Sequence, residues 1–375
     1  MERIYLDYNA STPIADEVIA AMQPFLAGNF GNPSSGHWAS ELLRPSIENA
    51  RNQIADTIGS KSSEIVFTGS GTEASNLAIK GLFFEDWGRP FHVITTSVEH
   101  AATLAPCRFV ETLGAEVTVL PVDGTGQVDP AAVEQAIKPH TKLVSVMHAQ
   151  NEVGTIQPID EIGRLTRERG ICFHVDAAQS VGKIPVDVEA MNADLLSLTG
   201  QKIYGPKGVG ALYIREGVTL SPLIHGPTAH ERGLRAGTEC AALNVALGRA
   251  CSLIQEKEMG MDDRSRLLRD RLREGLMAAF GERILLNGHV KEGLPNTLNV
   301  SFLDFTGSDL LAKCPVIAAS VGSACHSGSH SVSPTLEAMG VEEKTALGAI
   351  RFSVGRYTTE DEIDEAIDVL GLVRE

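Results

Sequence analysis

Short β-rich runs alternate with helix-length segments along most of this chain, and that alternation constrains its fold more than any other feature. The runs are EIVFT at 64–68, FHVITT at 91–96, AEVTVLPV at 115–122, KLVSVMHA at 142–149 and ICFHVDA at 171–177. Between them lie stretches such as 73–84 and 130–137, the second opened by an Asp-Pro pair suited to a helix start. This order predicts a largely parallel sheet covered by helices. Each βα connection then puts a loop at the carboxyl end of the sheet, where ligands bind in such folds. After about residue 250 the pattern changes to a long charged helix over 261–280, two strand-like runs (TLNVSF and AIRFSV) and an acidic helix from Thr359. A large α/β domain followed by a smaller α+β domain is the expectation, and 375 residues suit two domains.

Hydrophobic residues make up 43% of the chain and charged residues 21%, which suits a sizeable core and leaves little room for disorder. Forty-eight acidic against 32 basic residues give a net charge of −16 with no basic cluster, so a nucleic-acid or anionic-membrane surface is disfavoured. A basic protein partner remains compatible. The start MERIYLDYNA lacks a signal-peptide pattern, and no apolar run reaches the roughly 18 residues that span a bilayer, so a cytoplasmic protein is expected. Six cysteines are scattered without CxxC pairs, which argues against a zinc ribbon, an iron–sulfur cradle or a disulfide framework. Most are expected to be buried apolar thiols. Cys325 differs, because it lies in SVGSACHSGSHSVSP, a Gly/Ser/His stretch that cannot pack a core. His326 and His330 could lower its pKa or shuttle protons, or serve only partner contact. Three potential ligands on one loop do not make a metal site, and no metal is expected.

Three segments carry chemistry. EIVFTGSGTEASN runs from a strand through a glycine-rich turn into a helix, with Gly69, Gly71 and Thr72 at the junction. Such a junction offers backbone N–H groups to a phosphate, although a plain strand-to-helix turn reads the same way. FHVDAAQ ends a strand with Asp176 and sets Gln179 just beyond. A carboxylate there suits pyridoxal phosphate, whose pyridine nitrogen needs an anion beside it to draw electrons from a substrate, or else it caps the next helix. SLTGQKIYGPKGVGALYI holds Lys202 and Lys207 among small residues. A lysine in a tight glycine-flanked loop can reach and attack the cofactor aldehyde, whereas Lys207 reads as a solvated surface group.

The motifs YLDYNAST, GNPSSGHW, FTGSGTEASN, SVEHAAT, QNEVGTIQPI, HVDAAQSVGK, GQKIYGPKGVGALY, RAGTE, SVGSACHSGS and RFSVGR occur in this order over nearly the whole chain. In that order they resemble cysteine desulfurases and selenocysteine lyases, members of the class V aminotransferase-like group of pyridoxal-phosphate enzymes. The resemblance implies a fold-type-I transferase. Its large domain, residues 16–255, would hold a mostly parallel seven-stranded sheet covered by helices. An N-terminal arm (1–15) would pack on a small α+β domain (256–375) that carries the cysteine loop.

By the same resemblance Lys202 is the lysine that binds pyridoxal 5'-phosphate covalently, Asp176 the partner of the pyridine nitrogen, and Gln179 a donor to the ring oxygen. His100 in SVEHAAT matches a histidine that stacks on the ring and moves protons. Gly71, Thr72, Thr199 and Gln201 fall among the cofactor-binding positions. Thr238 in RAGTE matches a phosphate contact supplied by a neighbouring subunit, which implies a homodimer with a shared site. Asn9, Asn151 and Arg351 are expected to bind the substrate, Asn151 also binding the cofactor near its ring oxygen and Arg351 acting through its bidentate fork. Cys325 would take the sulfur of L-cysteine as a persulfide and hand it to an acceptor protein. Release of selenide from L-selenocysteine is the alternative, and the sequence leaves that choice open. An aminotransferase or a kynureninase-like hydrolase has no need of a thiol loop, and a non-catalytic scaffold has no need of Lys202, Asp176, His100 and Arg351 together.

The chain departs from this pattern twice. Gln201 stands where the family usually has histidine before the lysine, and it can donate a hydrogen bond but carry no charge. PTAHERGLRAGTE, with His230, replaces a more glycine-rich run.

Overall fold

The computed structural model describes residues 3–256, 263–289, 291–321 and 332–373. Cys325, His326 and His330 lie outside the described residues.

Thirteen strands are formed among the described residues. Two short ones, β1 (Ile4–Tyr5) and the later β11 (Ile317–Ala318), pair with each other in parallel. The central sheet takes β2 (Ile65–Thr68), β3 (His92–Thr96), β4 (Glu116–Leu120), β5 (Thr141–Met147), β6 (Cys172–Asp176), β7 (Leu195–Thr199) and β8 (Gly210–Ile214). A smaller sheet takes β9 (Ile284–Asn287), β10 (Thr297–Phe302), β12 (Ser320–Val321) and β13 (Ala349–Ser353).

The central sheet has seven strands in the order β2-β8-β7-β6-β5-β3-β4, and β8 alone runs antiparallel to both its neighbours. The fold is thus α/β with a mostly parallel sheet. Helices α1 (Asp16–Ala27), α2 (Leu43–Ile58), α3 (Gly71–Glu85), α4 (Ala101–Thr112), α5 (Pro130–Ala136), α6 (Ile159–Glu168) and α7 (Ala241–Gln255) surround it. Every residue of β2, β3, β7 and β8 is buried. That explains why these strands read as continuous apolar or small runs rather than as alternations.

A second hydrophobic core forms around the smaller sheet, which has the antiparallel order β12-β13-β10-β9. It includes Leu268, Leu272 and Leu276 of α8 (Asp263–Phe280) and Ile363, Ala366 and Leu370 of the helix Glu360–Leu372. Ile4 and Leu6 join it, so the N-terminal arm is anchored there before it crosses to the central sheet. Thr359 caps the last helix and exchanges hydrogen bonds with Glu362, as the sequence position predicted.

Three of the six cysteines, Cys107, Cys251 and Cys314, are buried thiols as expected. Cys240 is exposed, contrary to the sequence pattern, because it precedes α7 at a loop end rather than lying within the apolar face. No helix among the described residues is long and apolar enough to cross a membrane.

Candidate active site

The carboxyl ends of β5, β6 and β7 end on Met147, Asp176 and Thr199, and these residues line one cavity of about 290 Å³. The cavity sits where loops of a parallel sheet present ligand groups. Its walls bring together Asn9, Gly71, Thr72, His100, Asn151, Asp176, Gln179, Thr199, Gln201, Lys202 and Arg351. Thr238 is exposed and does not reach this cavity within its own chain. Asn9 lines the wall, but its amide is engaged by the protein: Nδ2 donates to Thr297 Oγ1 (2.8 Å) and to the Asn151 carbonyl (3.3 Å).

The turn at residues 69–72 lies across β8 because Gly210 has no side chain. A Cβ on Gly210 would fall 2.7 Å from the Leu198 carbonyl and 2.8 Å from the Gly71 amide. This close approach sets the first turn of α3 beside Thr199. Ser70 caps that helix by accepting from the Glu73 amide (3.1 Å). Gly71 and Thr72 open the helix, so their N–H groups have no carbonyl one turn earlier to bond and can serve an anion.

Lys202 occupies a short turn directly after β7. Its Nζ donates to the carbonyls of Asn9 (2.7 Å) and Ala10 (2.6 Å), which brings the N-terminal arm over the site. Burial, then the positive charge of Arg351, lowers its pKa to about 8. The amine is therefore partly neutral near physiological pH, as a nucleophile toward an aldehyde must be. Lys207 is exposed and outside the cavity, which leaves Lys202 as the lysine in place. The rate of cofactor capture by apoprotein is expected to rise with pH through about 8 and level off above it, because only the neutral amine attacks. Stopped-flow absorbance across pH 6.5–9.5 checks this, and a rate independent of pH in that range would contradict it.

Asp176 is buried, and burial raises its carboxyl pKa, while the amide of Ala178, His100 and Lys202 act in the opposite direction. Its Oδ1 accepts from the Ala178 amide (3.0 Å), so it caps the local turn and faces the cavity at once. The cap closes a turn rather than the start of a helix, because the chain between β6 and β7 forms turns. His100 is the cap of α4: Nδ1 accepts from the Ala102 amide (3.0 Å), which leaves Nε2 to carry the proton of the neutral ring. Glu99, its neighbour, is buried behind the site, and burial pushes its pKa up to about 8.

Arg351 projects from β13 with 7% of its surface exposed. It donates to the Asn151 carbonyl (3.1 Å), to Asp7 Oδ1 (2.6 Å) and to Ser320 Oγ (2.8 Å). Its buried Nε has no partner among the described residues. Asp7 was not foreseen from the sequence, nor was Lys183, whose buried amine bonds Asn9 and Gln179. A lysine four residues after Gln179 in the same motif was the available signal.

The segment around His230 is built differently from a glycine-rich loop. Glu231 and Arg232 both adopt left-handed backbone (φ 42° and 56°), a conformation that costs about 1–3 kcal/mol at each non-glycine residue. Glu231 is held there by Arg51, which donates to both carboxylate oxygens (2.8 and 2.9 Å), and by the Phe67 amide (2.8 Å). His230 is buried and accepts from the Gly237 amide (3.3 Å) just before Thr238. Arg51→Met leaves the Glu231 carboxylate buried without its cation, and a loss of about 3–5 kcal/mol is expected in urea unfolding. An unchanged midpoint would show that the pair does not hold this loop.

These features can be set beside known proteins. The sequence pattern of the family described as aminotransferase class-V matches residues 4–366. The chain belongs to the aminotransferase class-V family. It is 46% identical over 372 residues to the cysteine desulfurase IscS of Dictyoglomus turgidum, covering 98% of this chain and 93% of that one. A solved structure described as a NifS-like protein superposes with a TM-score of 0.92 at 36% identity, covering 99% of each chain. Another, described as SspA in complex with cysteine, gives a TM-score of 0.84 at 39% identity over 95% of this chain and all of that one.

The cavity fits the cofactor of the family, pyridoxal 5'-phosphate. The amide-lined start of α3 suits its phosphate, the buried Asp176 its pyridine nitrogen, and the partly neutral Lys202 its aldehyde. When bound, that group supplies an electron sink next to the substrate α-carbon. Lys202 Nζ, the amine that faces the cavity, would hold the group and could move a proton beside it. His100 Nε2 and the guanidinium of Arg351 flank the remaining space.

Proposed function

We propose that this chain is a pyridoxal-phosphate-dependent cysteine desulfurase that converts L-cysteine to L-alanine and receives the sulfur on Cys325. The observation that carries this reading is the convergence of Lys202, Asp176 and Arg351 on one cavity in a chain 46% identical to a cysteine desulfurase. Arg351 binds the substrate carboxylate through its guanidinium, with Asn151 beside it, and that fixes how the substrate lies in the cavity. In the balanced reaction the Cβ–S bond of cysteine breaks, an S–S bond forms at Cys325 Sγ, and Cβ gains a hydrogen to become the methyl group of alanine. Lys202 Nζ moves the proton at Cα, and His100 Nε2 the proton at the leaving sulfur.

The cavity is completed by Thr238 of a second copy in a homodimer. Support comes from its family motif and from its exposed place outside its own chain's cavity. The persulfide sulfur passes to a separate acceptor protein, and the net charge of −16 favours a basic one. Unpaired Cys107, Cys251 and Cys314 suit the reducing cytoplasm.

Alanine and sulfide are assayed together from L-cysteine with a thiol reductant present, using the cofactor-loaded enzyme and its Cys325→Ser variant. One alanine per sulfide from the wild type, and loss of both from the variant, is the expected result. Cofactor-loaded wild type that forms no alanine would overturn the reading. Alanine from L-selenocysteine alone would move it to a selenocysteine lyase.

A further inference from the structure

A second lysine lies behind the cavity. Lys183 is 2% exposed, and its Nζ donates to Asn9 Oδ1 (2.8 Å) and to Gln179 Oε1 (2.5 Å). Both acceptors belong to residues that line the site, whereas Lys183 itself does not. A lysine amine engaged this way acts only as a donor, so the atom that faces it must be an oxygen. An amide side chain has two chemically opposite ends, and fixing one end fixes the other.

With Oε1 of Gln179 turned to Lys183, the end left to serve the site is Nε2. It donates one N–H to the Asn9 carbonyl (3.0 Å) and retains a second. Asn9 is oriented in the same way. Its Oδ1 accepts from Lys183 and from Asn296 Nδ2 (3.0 Å), which turns its Nδ2 toward Thr297 and Asn151. The Asn9 carbonyl in turn receives Lys202 Nζ.

We infer that Lys183 is a positioning residue which fixes the amide polarity of Gln179 and Asn9, so that Gln179 presents a donor, never an acceptor, to an oxygen of the bound ring. This rests on the reading of the cavity as a pyridoxal-phosphate site. Burial and the positive charges of Lys202 and Arg351 hold the Lys183 pKa well below the usual lysine range.

The test uses the loaded wild type, three loaded methionine variants (Lys183→Met, Gln179→Met and the double variant) and, as a fourth variant, loaded Lys183→Gln. Two quantities are read, the half-time for cofactor loss into a scavenging apoenzyme and the pH titration of the visible absorbance of the bound cofactor. Removing a hydrogen bond to the ring is expected to shorten the half-time about tenfold in each single variant. The double variant is expected to match Gln179→Met rather than to multiply the losses, because Lys183 acts through Gln179. The absorbance titration shifts in the same direction in all three, and Lys183→Gln, which keeps an amide donor, recovers part of it.

Multiplicative losses in the double variant, or a titration identical to wild type in Lys183→Met, would overturn the inference and leave Lys183 as packing. Should Lys183→Met fail to fold, Lys183→Gln against Gln179→Met supplies the same comparison. A wild type that takes up no cofactor at all would sink the reading of the cavity instead, so the two failures are distinct.

Discussion

Lys202→Ala is expected to abolish alanine formation, by on the order of 10⁶-fold, the scale seen when a residue through which covalent chemistry runs is removed. The fold should survive. Lys202 lies in a short turn and, among the described residues, its Nζ bonds the carbonyls of Asn9 and Ala10, so its loss frees two acceptors that line the cavity. Neither Lys207 nor Lys183 can take its place. Lys207 is exposed and outside the cavity, and Lys183 is bonded behind it to Asn9 and Gln179. Steady-state alanine release, with circular dichroism to confirm folding, checks this. Residual activity above about a hundredth of wild type would move the covalent role elsewhere, since it falls far short of the loss such a residue causes.

Asp176→Asn removes one charge and little else. Asparagine keeps an oxygen for the Ala178 amide, so the turn after β6 should stay capped and the stability nearly unchanged. What disappears is the anion beside the pyridine nitrogen. A preorganised charge in a buried site contributes on the order of 10²–10³-fold to turnover, and a fall of that size is expected with cofactor still bound. The comparison separates the two roles that the structure gives this residue. A variant that keeps its rate would show that the cap alone matters, while one that unfolds would show that the carboxylate is needed for the turn.

Much of this site could be read from the sequence, because its residues sit at strand ends in short, chemically unusual motifs. Asp176, Lys202, His100 and Arg351 all stand where hydrophobic patterning breaks at the carboxyl end of a strand or within one. The large sheet was legible for the same reason, through runs that became β2 to β6. The pair β7 and β8 was harder. Both are fully buried, and the lysine turn between them hides the point where the chain reverses into the antiparallel β8.

Asn9 and Lys183 mark where sequence reading stopped. Asn9 looked like a substrate ligand by its motif, yet its polar atoms meet Lys202, 193 positions on, Lys183, 174 positions on, and Asn296, 287 positions on. Only the fold brings those groups to one residue. Lysines are seldom fully buried, so nothing in the spacing singled out Lys183 as a residue behind the site. The loop at His230 shows the converse. Its departure from a glycine-rich pattern was plain in the sequence, but the Arg51 clamp that supports the left-handed backbone needs a contact across 180 positions.

Lys202, just after β7, is the proposed point of attachment of pyridoxal phosphate. Borohydride reduction of the loaded protein makes the bond between cofactor and lysine permanent, and peptide mass mapping then locates it. The account predicts one modified peptide per chain with the added mass on Lys202. The mass on Lys183 or Lys207 instead, or on no lysine in a protein that has taken up cofactor, would contradict it.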